Sequence, residues 1–166
     1  YESASLSSTL TVNKIALPII LSNVITKTFG DDVFNLSAVS SSTGVFSYQV
    51  SDNTIASVTA TGSVTIIGAG MTSIVIDQAG DLNFLTASKT IKLYVLKADP
   101  IIRTSNIISK TFGDPDFNLT STSSSTGLFS YTISDTSIAS VSSNTVTIGG
   151  AGTTTILINK SSDNNY

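Results

Sequence analysis

An all-β fold is predicted by three features of the sequence. Short runs with a period of two residues recur along the chain, and these runs are rich in Val, Ile and Thr, which suit pleated strands. Phe46, Tyr48 and Val50 alternate with polar residues, for example, which places them on one face of a strand. Glycines such as Gly44 and Gly62 separate the runs, as turns require. No stretch has the 3.6-residue period of an amphipathic helix.

An internal repeat of about 83 residues divides the chain. Residues 27–31 (KTFGD) return 83 positions later, and so do residues 41–44 (SSTG). After a one-residue deletion, residues 68–70 (GAG) return 82 positions later. A propeller blade or a solenoid rung normally has a shorter period, so each copy is expected to be a small domain.

The number of strands in one copy narrows the fold further. Seven short strands are expected in the central copy, at residues 18–26, 33–39, 45–51, 55–59, 63–67, 71–77 and 88–96. About seven short strands with turn signals between them are typical of an immunoglobulin-like β-sandwich.

Both ends of the chain fall at the same phase of the repeat. Residues 10–14 (LTVNK) correspond to residues 93–97 (LYVLK), which belong to the expected last strand of a copy. We therefore assign residues 1–13 to the last strand of a preceding or neighbouring domain, residues 14–97 to a complete repeat, and residues 98–166 to a repeat without its final strand. The predicted fold is all-β, with two tandem immunoglobulin-like β-sandwich repeats, the second lacking its last strand within the chain.

Several motifs resemble a known family. Residues 51–58 (SDNTIASV), 62–65 (GSVT) and 68–74 (GAGMTSI) look like bacterial Ig-like repeats of the invasin and intimin type, over about half of each copy. Residues 27–31 and 163–166 (DNNY) resemble a variant found in giant surface proteins and viral appendages. The resemblance implies tandem modules of a surface fibre or adhesin, which mostly serve as spacers.

Composition excludes several classes of function. The chain has no Cys, His or Trp, so disulfides, thiolate nucleophiles, zinc–thiolate sites and the commonest general base are all missing. A net charge of −3 with eight scattered Lys and Arg disfavours a nucleic-acid partner. The longest apolar run, residues 15–21, contains Pro18 and is too short to span a membrane. We therefore predict no enzymatic activity.

The predicted function is that of a structural repeat module in an extracellular fibre, filament or stalk, at a cell surface or on a virion appendage. Its partners would be copies of itself, head to tail, and the mode of assembly is open between one long covalent array and strand complementation between separate chains. In the second mode Leu6, Leu10 and Val12 would enter the open sheet of the next copy. The alternative function is an adhesin module that binds a surface glycan or a host protein, with Tyr94 as an outward aromatic residue.

Two further sets of residues are candidates for modification or ion binding. Asn35, Asn118 and Asn159 each begin a glycosylation sequon. Aspartates such as Asp81 and Asp163 recur at the repeat interval, where they either hold structural calcium or accept hydrogen bonds in turns. The turn interpretation is preferred because no closely spaced run of acidic ligands is present, and no cofactor is expected.

Overall fold

The structure is a computed structural model that describes residues 3–105 and 107–166, and it contains strands but no helix in that part of the chain. Two compact units are present: unit 1 is Tyr1–Val95 and unit 2 is Leu96–Tyr166. None of the described residues forms a helix long and apolar enough to cross a membrane. The all-β prediction is confirmed, and the assignment of residues 1–13 to a preceding or neighbouring domain stays a prediction.

Unit 1 contains seven strands in two sheets. The strands are β1 (Val24–Thr28), β2 (Phe34–Asn35), β3 (Phe46–Val50), β4 (Ala56–Val58), β5 (Ser63–Ile66), β6 (Gly70–Gln78) and β7 (Ala87–Leu96). One sheet has the order β1-β7-β6-β3 and the other has the order β2-β5-β4. This arrangement is that of a β-sandwich.

Alternation along β6 and β7 builds the core of unit 1. Ile74 pairs with Ile91, and Thr72 pairs with Leu93, in an antiparallel ladder of nine residue pairs. The side chains on this face are buried, whereas Lys92 and the other intervening residues of β7 are exposed. Because successive side chains of a strand point to opposite faces, the same alternation that predicts the strands also predicts which residues are buried.

Unit 2 contains the remaining strands. They are β8 (Ile102–Arg103), β9 (Phe117–Asn118), β10 (Thr122–Ser123), β11 (Phe129–Ile133), β12 (Ala139–Ser142), β13 (Thr145–Ile148) and β14 (Ile156–Lys160). They form three sheets, with the orders β12-β13-β9, β11-β14 and β10-β8. Its core of buried apolar residues is smaller than that of unit 1 and consists of Leu119, Ile133, Ala139 and Val146.

The first expected strand, residues 18–26, is wrong as a single element. Ile20 forms an isolated bridge with Val39, through two backbone hydrogen bonds of 2.8 and 3.0 Å. The ladder with β7 begins only at Val24, after a bend at which the Ser22 hydroxyl donates to the carbonyl oxygen of Val24. The bend transfers the chain from one set of pairing partners to another, which alternation in the sequence does not reveal.

Candidate functional site: an open strand position in unit 2

Strands β6 and β14 occupy equivalent positions in the repeat but have different neighbours. β6 pairs with β3 along one edge and with β7 along the other. β14 pairs with β11 along one edge, and no strand within residues 3–105 and 107–166 pairs with its other edge. The edge of β14 that corresponds to the β7 side of β6 is therefore open.

The open edge changes the environment of the side chains on β14. Ile74 and Ile76 of β6 are fully buried, whereas their counterparts Ile156 and Ile158 are only half-buried. The residue types are identical at these positions. The difference in burial therefore arises from the strand that covers β6 and not from the chemistry of the side chains.

The segment that corresponds to β1 is also affected. In unit 1, β1 lies beside β7, and Ile25 and Phe29 pack against the core. In unit 2, residues 107–111 form no strand, Ile108 is 41% exposed and Phe112 is 67% exposed. The first strand of a repeat is thus absent where its partner, the last strand, is absent.

A groove runs between this segment and β14. Its volume is about 420 Å³, and a second cavity of about 340 Å³ shares Ile108, Thr154 and Ile156 with it. Apolar side chains from both sides of the groove line the first cavity, among them Ile107, Ile108, Phe112, Phe117, Ile138, Val146, Ile148 and Ile156. Ser109, Lys110, Thr153 and Thr154 also line this cavity, so its surface is mixed. A groove with apolar side chains beside an open main-chain edge can accept an added β-strand.

The predicted donor residues lie in a segment that forms no strand. Leu6, Leu10 and Val12 are 99%, 86% and 83% exposed, respectively. Leu10 and Val12 correspond in the repeat to Leu93 and Val95, which are buried on β7. The structure places the three residues in no site, and their role in strand complementation stays a prediction.

A carboxylate joins two loops in unit 1, and sequence reasoning missed this contact. Asp81 Oδ2 accepts hydrogen bonds from the Ser42 hydroxyl (2.9 Å), the Thr43 amide (2.8 Å) and the Thr43 hydroxyl (3.1 Å). Asp81 Oδ1 accepts from the amides of Asn83 and Phe84, both at 2.9 Å. These donors, the Thr43 amide above all, hold the pKa of the Asp81 carboxyl well below its ordinary value of 3.8.

Unit 2 contains the same contact, centred on Asp163. Its Oδ2 accepts from the Ser125 hydroxyl (3.2 Å), the Thr126 amide (2.7 Å) and the Thr126 hydroxyl (2.8 Å). Its Oδ1 accepts from the amides of Asn165 (2.8 Å) and Tyr166 (2.9 Å). The repeated SSTG motif and the repeated aspartate are thus two halves of one loop clamp, and the pKa of Asp163 is lowered as that of Asp81 is, chiefly by the Thr126 amide.

The loop that follows each clamp aspartate also holds the segment that enters the unit. In each unit a lysine Nζ and the next backbone N–H donate to two backbone carbonyl oxygens of that loop. The donor and acceptor pairs are Lys14 and Asp81, Ile15 and Asn83, Lys97 and Asp163, and Ala98 and Asn165. The two units therefore begin with equivalent bonds at equivalent residues.

The remaining candidates are separate surface residues. Asn35, Asn118 and Asn159 lie on β2, β9 and β14 with exposed side chains, and Asn118 Oδ1 accepts a 2.9 Å hydrogen bond from the Thr145 hydroxyl. Tyr94 is exposed on β7. In the part of the chain that the structure describes, no group of three or more His, Cys, Asp or Glu side chains could hold a metal ion. Glycosylation and structural calcium stay predictions.

Comparison with known proteins finds similar solved structures, of which two are described here. No family model matches the sequence, and no curated protein sequence matches it. Surface layer protein SbsC, domains 1 to 6, is 21% identical over 89% of this chain and 26% of that chain, with a TM-score of 0.37. The S-layer protein rSbsC is 19% identical over 91% of this chain and 27% of that chain, with a TM-score of 0.34. This chain spans about a quarter of each, and at these TM-scores the likeness carries no argument for a function.

Proposed function

We propose that the chain is a structural repeat module of an extracellular fibre, filament or stalk at the cell surface, without enzymatic activity. The observation that carries the proposal is the open strand position in unit 2. In unit 1 the same position is filled by β7, which starts nine residues after the end of β6. In a unit of this kind, the strand that follows the clamp loop completes the sheet. The chain then continues from the end of that strand into the next unit.

The same structural features occur in both units, which supports a function as a spacer. Each unit has a clamp aspartate, a lysine whose Nζ bonds to the clamp loop, and an isoleucine face on the equivalent strand, β6 or β14. A module selected for one binding site would need features that are confined to one copy, whereas a spacer needs copies that join in the same way. The motif resemblance to bacterial Ig-like surface repeats agrees with this role, and no finding favours a virion appendage.

The chemistry of the repeated carboxylates agrees with a structural role. Asp52 Oδ1 accepts from the amide and hydroxyl of Thr54, at 2.8 and 2.6 Å, and Asp135 makes the same two bonds with Ser137. The hydroxyl bond is the main cause of the lowered pKa of each of these carboxyl groups. Carboxyl groups with lowered pKa values remain ionised at neutral pH and hold turns, whereas a general acid needs a raised pKa.

The proposal is tested by supplying the strand that unit 2 lacks. A copy of residues 85–97 is fused directly after Tyr166, so that the added strand stands in the register of β7. We expect the fusion to lower amide hydrogen exchange of residues 107–111 and of β14, and to raise the thermal midpoint of unit 2, because two half-buried isoleucines become buried.

The matched control is the same fusion with aspartate at the positions copied from Leu93 and Val95. This variant has the same length but cannot bury its strand in an apolar groove. Equal exchange in the fusion, the control and the unmodified chain would show that unit 2 does not take a strand, and the proposed function would then be abandoned.

A further inference from the structure

Two peptide bonds of the chain join an aspartate to a proline, Asp99-Pro100 and Asp114-Pro115. Both lie in unit 2, and the corresponding bonds of unit 1 are Ala16-Leu17 and Asp31-Asp32, which lack proline. We propose that the Asp99-Pro100 bond is a site of self-cleavage in acid, at which the Asp99 carboxylate is the nucleophile. This activity goes beyond the proposed function and does not depend on the open strand position.

The chemistry of an aspartate followed by proline allows the bond to break itself. One oxygen of the aspartate carboxylate attacks the carbonyl carbon of the same residue, because this closes a five-membered cyclic anhydride. The bond from that carbon to the proline nitrogen then breaks, and the nitrogen takes up a proton and leaves as a secondary amine. Water opens the anhydride, so the net reaction is hydrolysis of one peptide bond. Attack within a single residue needs no encounter between molecules, which lowers the entropic part of the barrier.

Proline makes the leaving nitrogen sensitive to acid. Its nitrogen carries a third carbon substituent and no hydrogen, so the amide is tertiary and accepts a proton more readily than a secondary amide does. Acid speeds the step because the nitrogen must be protonated as it leaves. The attacking carboxyl group must remain partly ionised, so cleavage is fastest in moderate acid.

The structure leaves the Asp99 carboxylate free to attack. Asp99 is exposed, and its side chain has no hydrogen bond or ion pair in the part of the chain that the structure describes. The residues on either side are held in place. The Ala98 amide donates to the carbonyl oxygen of Asn165 at 2.9 Å, and the Ile101 amide donates to the Ser124 hydroxyl oxygen at 3.0 Å. The bond is therefore exposed to solvent between two fixed points of the segment that enters unit 2.

The second bond has an aspartate that is restrained. Asp114 Oδ2 accepts a 3.0 Å hydrogen bond from the Thr111 amide, and the Asp114 amide donates to the carbonyl oxygen of Thr111 at 3.0 Å. The carboxylate is thus held towards the residues that precede it in the turn. It must give up a hydrogen bond to a charged group before it can attack, so we expect cleavage at Asp114 to be about ten-fold slower than at Asp99.

A cut after Asp99 would leave both cores intact. The buried apolar residues of unit 1 lie between Ile19 and Val95, and those of unit 2 lie between Leu119 and Val146. Acid would therefore break the covalent connection between two folded repeats at one defined place.

Mass spectrometry of the whole chain tests the site. The chain is kept at about pH 3 and 37 °C for several days, once folded and once in concentrated urea, and circular dichroism verifies that the first sample stays folded. In the folded chain, fragments 1–99 and 100–166 should accumulate about ten-fold faster than fragments 1–114 and 115–166. In urea the two rates should become similar, because the bond from the Thr111 amide is then absent.

Three variants test the roles of the residues. Asp99→Glu keeps the charge but would require a six-membered ring, and Pro100→Ala replaces the tertiary amide by a secondary one, so each should slow cleavage at this bond roughly ten-fold or more. Asp32→Pro is the matched control, because it gives unit 1 the Gly-Asp-Pro sequence of unit 2. Asp31 Oδ2 is held by the Thr28 amide at 3.0 Å, so the new bond should be cleaved as slowly as Asp114-Pro115.

The proposal is overturned if the folded chain stays intact in acid while the sample in urea is cleaved. It is also overturned if the two bonds are cleaved in the same ratio with and without urea. Undiminished cleavage in Asp99→Glu would show that the side chain is not the nucleophile, and the proposal would then be abandoned. None of these results bears on the proposed function, which the C-terminal fusion tests.

Discussion

Units 1 and 2 carry the same isoleucines in the same places, yet they bury them differently. Ile74 of β6 is fully buried, and Ile156 of β14 is half-buried beside an open edge. The segment before the repeated Lys-Thr-Phe-Gly-Asp motif is strand β1 in unit 1 and has no regular structure at residues 107–111 of unit 2. In this comparison the first strand is present where β7 lies beside it and absent at residues 107–111, although about 60 residues separate β1 from β7 in the sequence.

The turn of the repeated Lys-Thr-Phe-Gly-Asp motif, in contrast, is the same in both units. Lys27 Nζ lies 4.9 Å from the centre of the Phe34 ring, and Lys110 lies at the same distance from Phe117. The tight turn after each lysine has a glycine with positive φ. This local turn therefore forms both in the unit that contains β7 and in the unit whose β14 has an open edge.

The largest effect that would test this comparison comes from removing an isoleucine from each unit. Ile74→Ala should cost about 2–5 kcal/mol of unfolding free energy, as expected for a fully buried residue. Ile156→Ala should cost about half as much, because the side chain is already partly in water. Hydrogen exchange reports the stability of each unit separately.

The same alanine substitutions can be compared in the fusion that carries a copy of residues 85–97 after Tyr166. In the fusion, Ile156→Ala should become as costly as Ile74→Ala. Equal costs in the open chain would contradict the view that the missing strand causes the difference between the units.

A smaller effect, equal in both units, is expected at the glycine of the SSTG motif. A Cβ on Gly44 would overlap the carbonyl oxygen of Ala79, and one on Gly127 would overlap that of Ser161. Each alanine substitution should destabilise its own unit by about 3 kcal/mol, measured by urea unfolding. Gly30→Ala is the control: its φ of +92° strains an alanine, but no atom lies within 4 Å, so the cost should be about 1 kcal/mol. A loss at Gly127 much smaller than at Gly44 would show that the loop clamp also depends on the last strand.

The smallest effect is a dependence on pH. The carboxyl groups of Asp81 and Asp163 have pKa values well below the ordinary 3.8, so the unfolded chain binds their protons more readily than the folded chain. Their contribution is complete above the unfolded pKa and is lost as the pH falls through 3.8 towards the folded value. Asp81→Asn should flatten the loss of stability below about pH 5 in unit 1 only, and Asp163→Asn should do so in unit 2 only. Thermal unfolding between pH 7 and pH 2 measures this, and an unchanged acid slope in both variants would contradict the clamp.

Sequence alone predicts most of the strands and few of the contacts between distant loops. Ile91, Leu93 and Val95 are buried as the alternation predicts, because a period of two is a local property of the chain. The bond between Asp81 and Thr43 joins two loops 38 residues apart, and each motif repeats without indicating its partner. Both the SSTG motif and the aspartate recur in the second copy, and this shared recurrence could have indicated that the two contact each other.

The groove beside β14 shows the same limit of sequence reasoning. The phase of the repeat predicts that residues 98–166 lack the last strand of a repeat, and this assignment stays a prediction; in the described residues β14 pairs with β11 alone. The absence of a strand at residues 107–111 was not predicted, because their side chains are much like those of β1 and suit a strand equally well. Whether such a segment pairs depends on the strand beside it, which is a tertiary property.

The entry bond of unit 1 determines how the unit would respond to tension. Ile15 is bonded to the loop at Asn83, just before β7 begins, and the chain leaves at Leu96, at the other end of that strand. A force between these points would pass through the hydrogen bonds of Ile15 and then along β7 itself, so those few bonds, and not the nine-pair ladder with β6, would be the first contacts to bear it. Unit 2 has the equivalent bonds at Lys97 and Ala98, so its first contacts under load would be of the same kind.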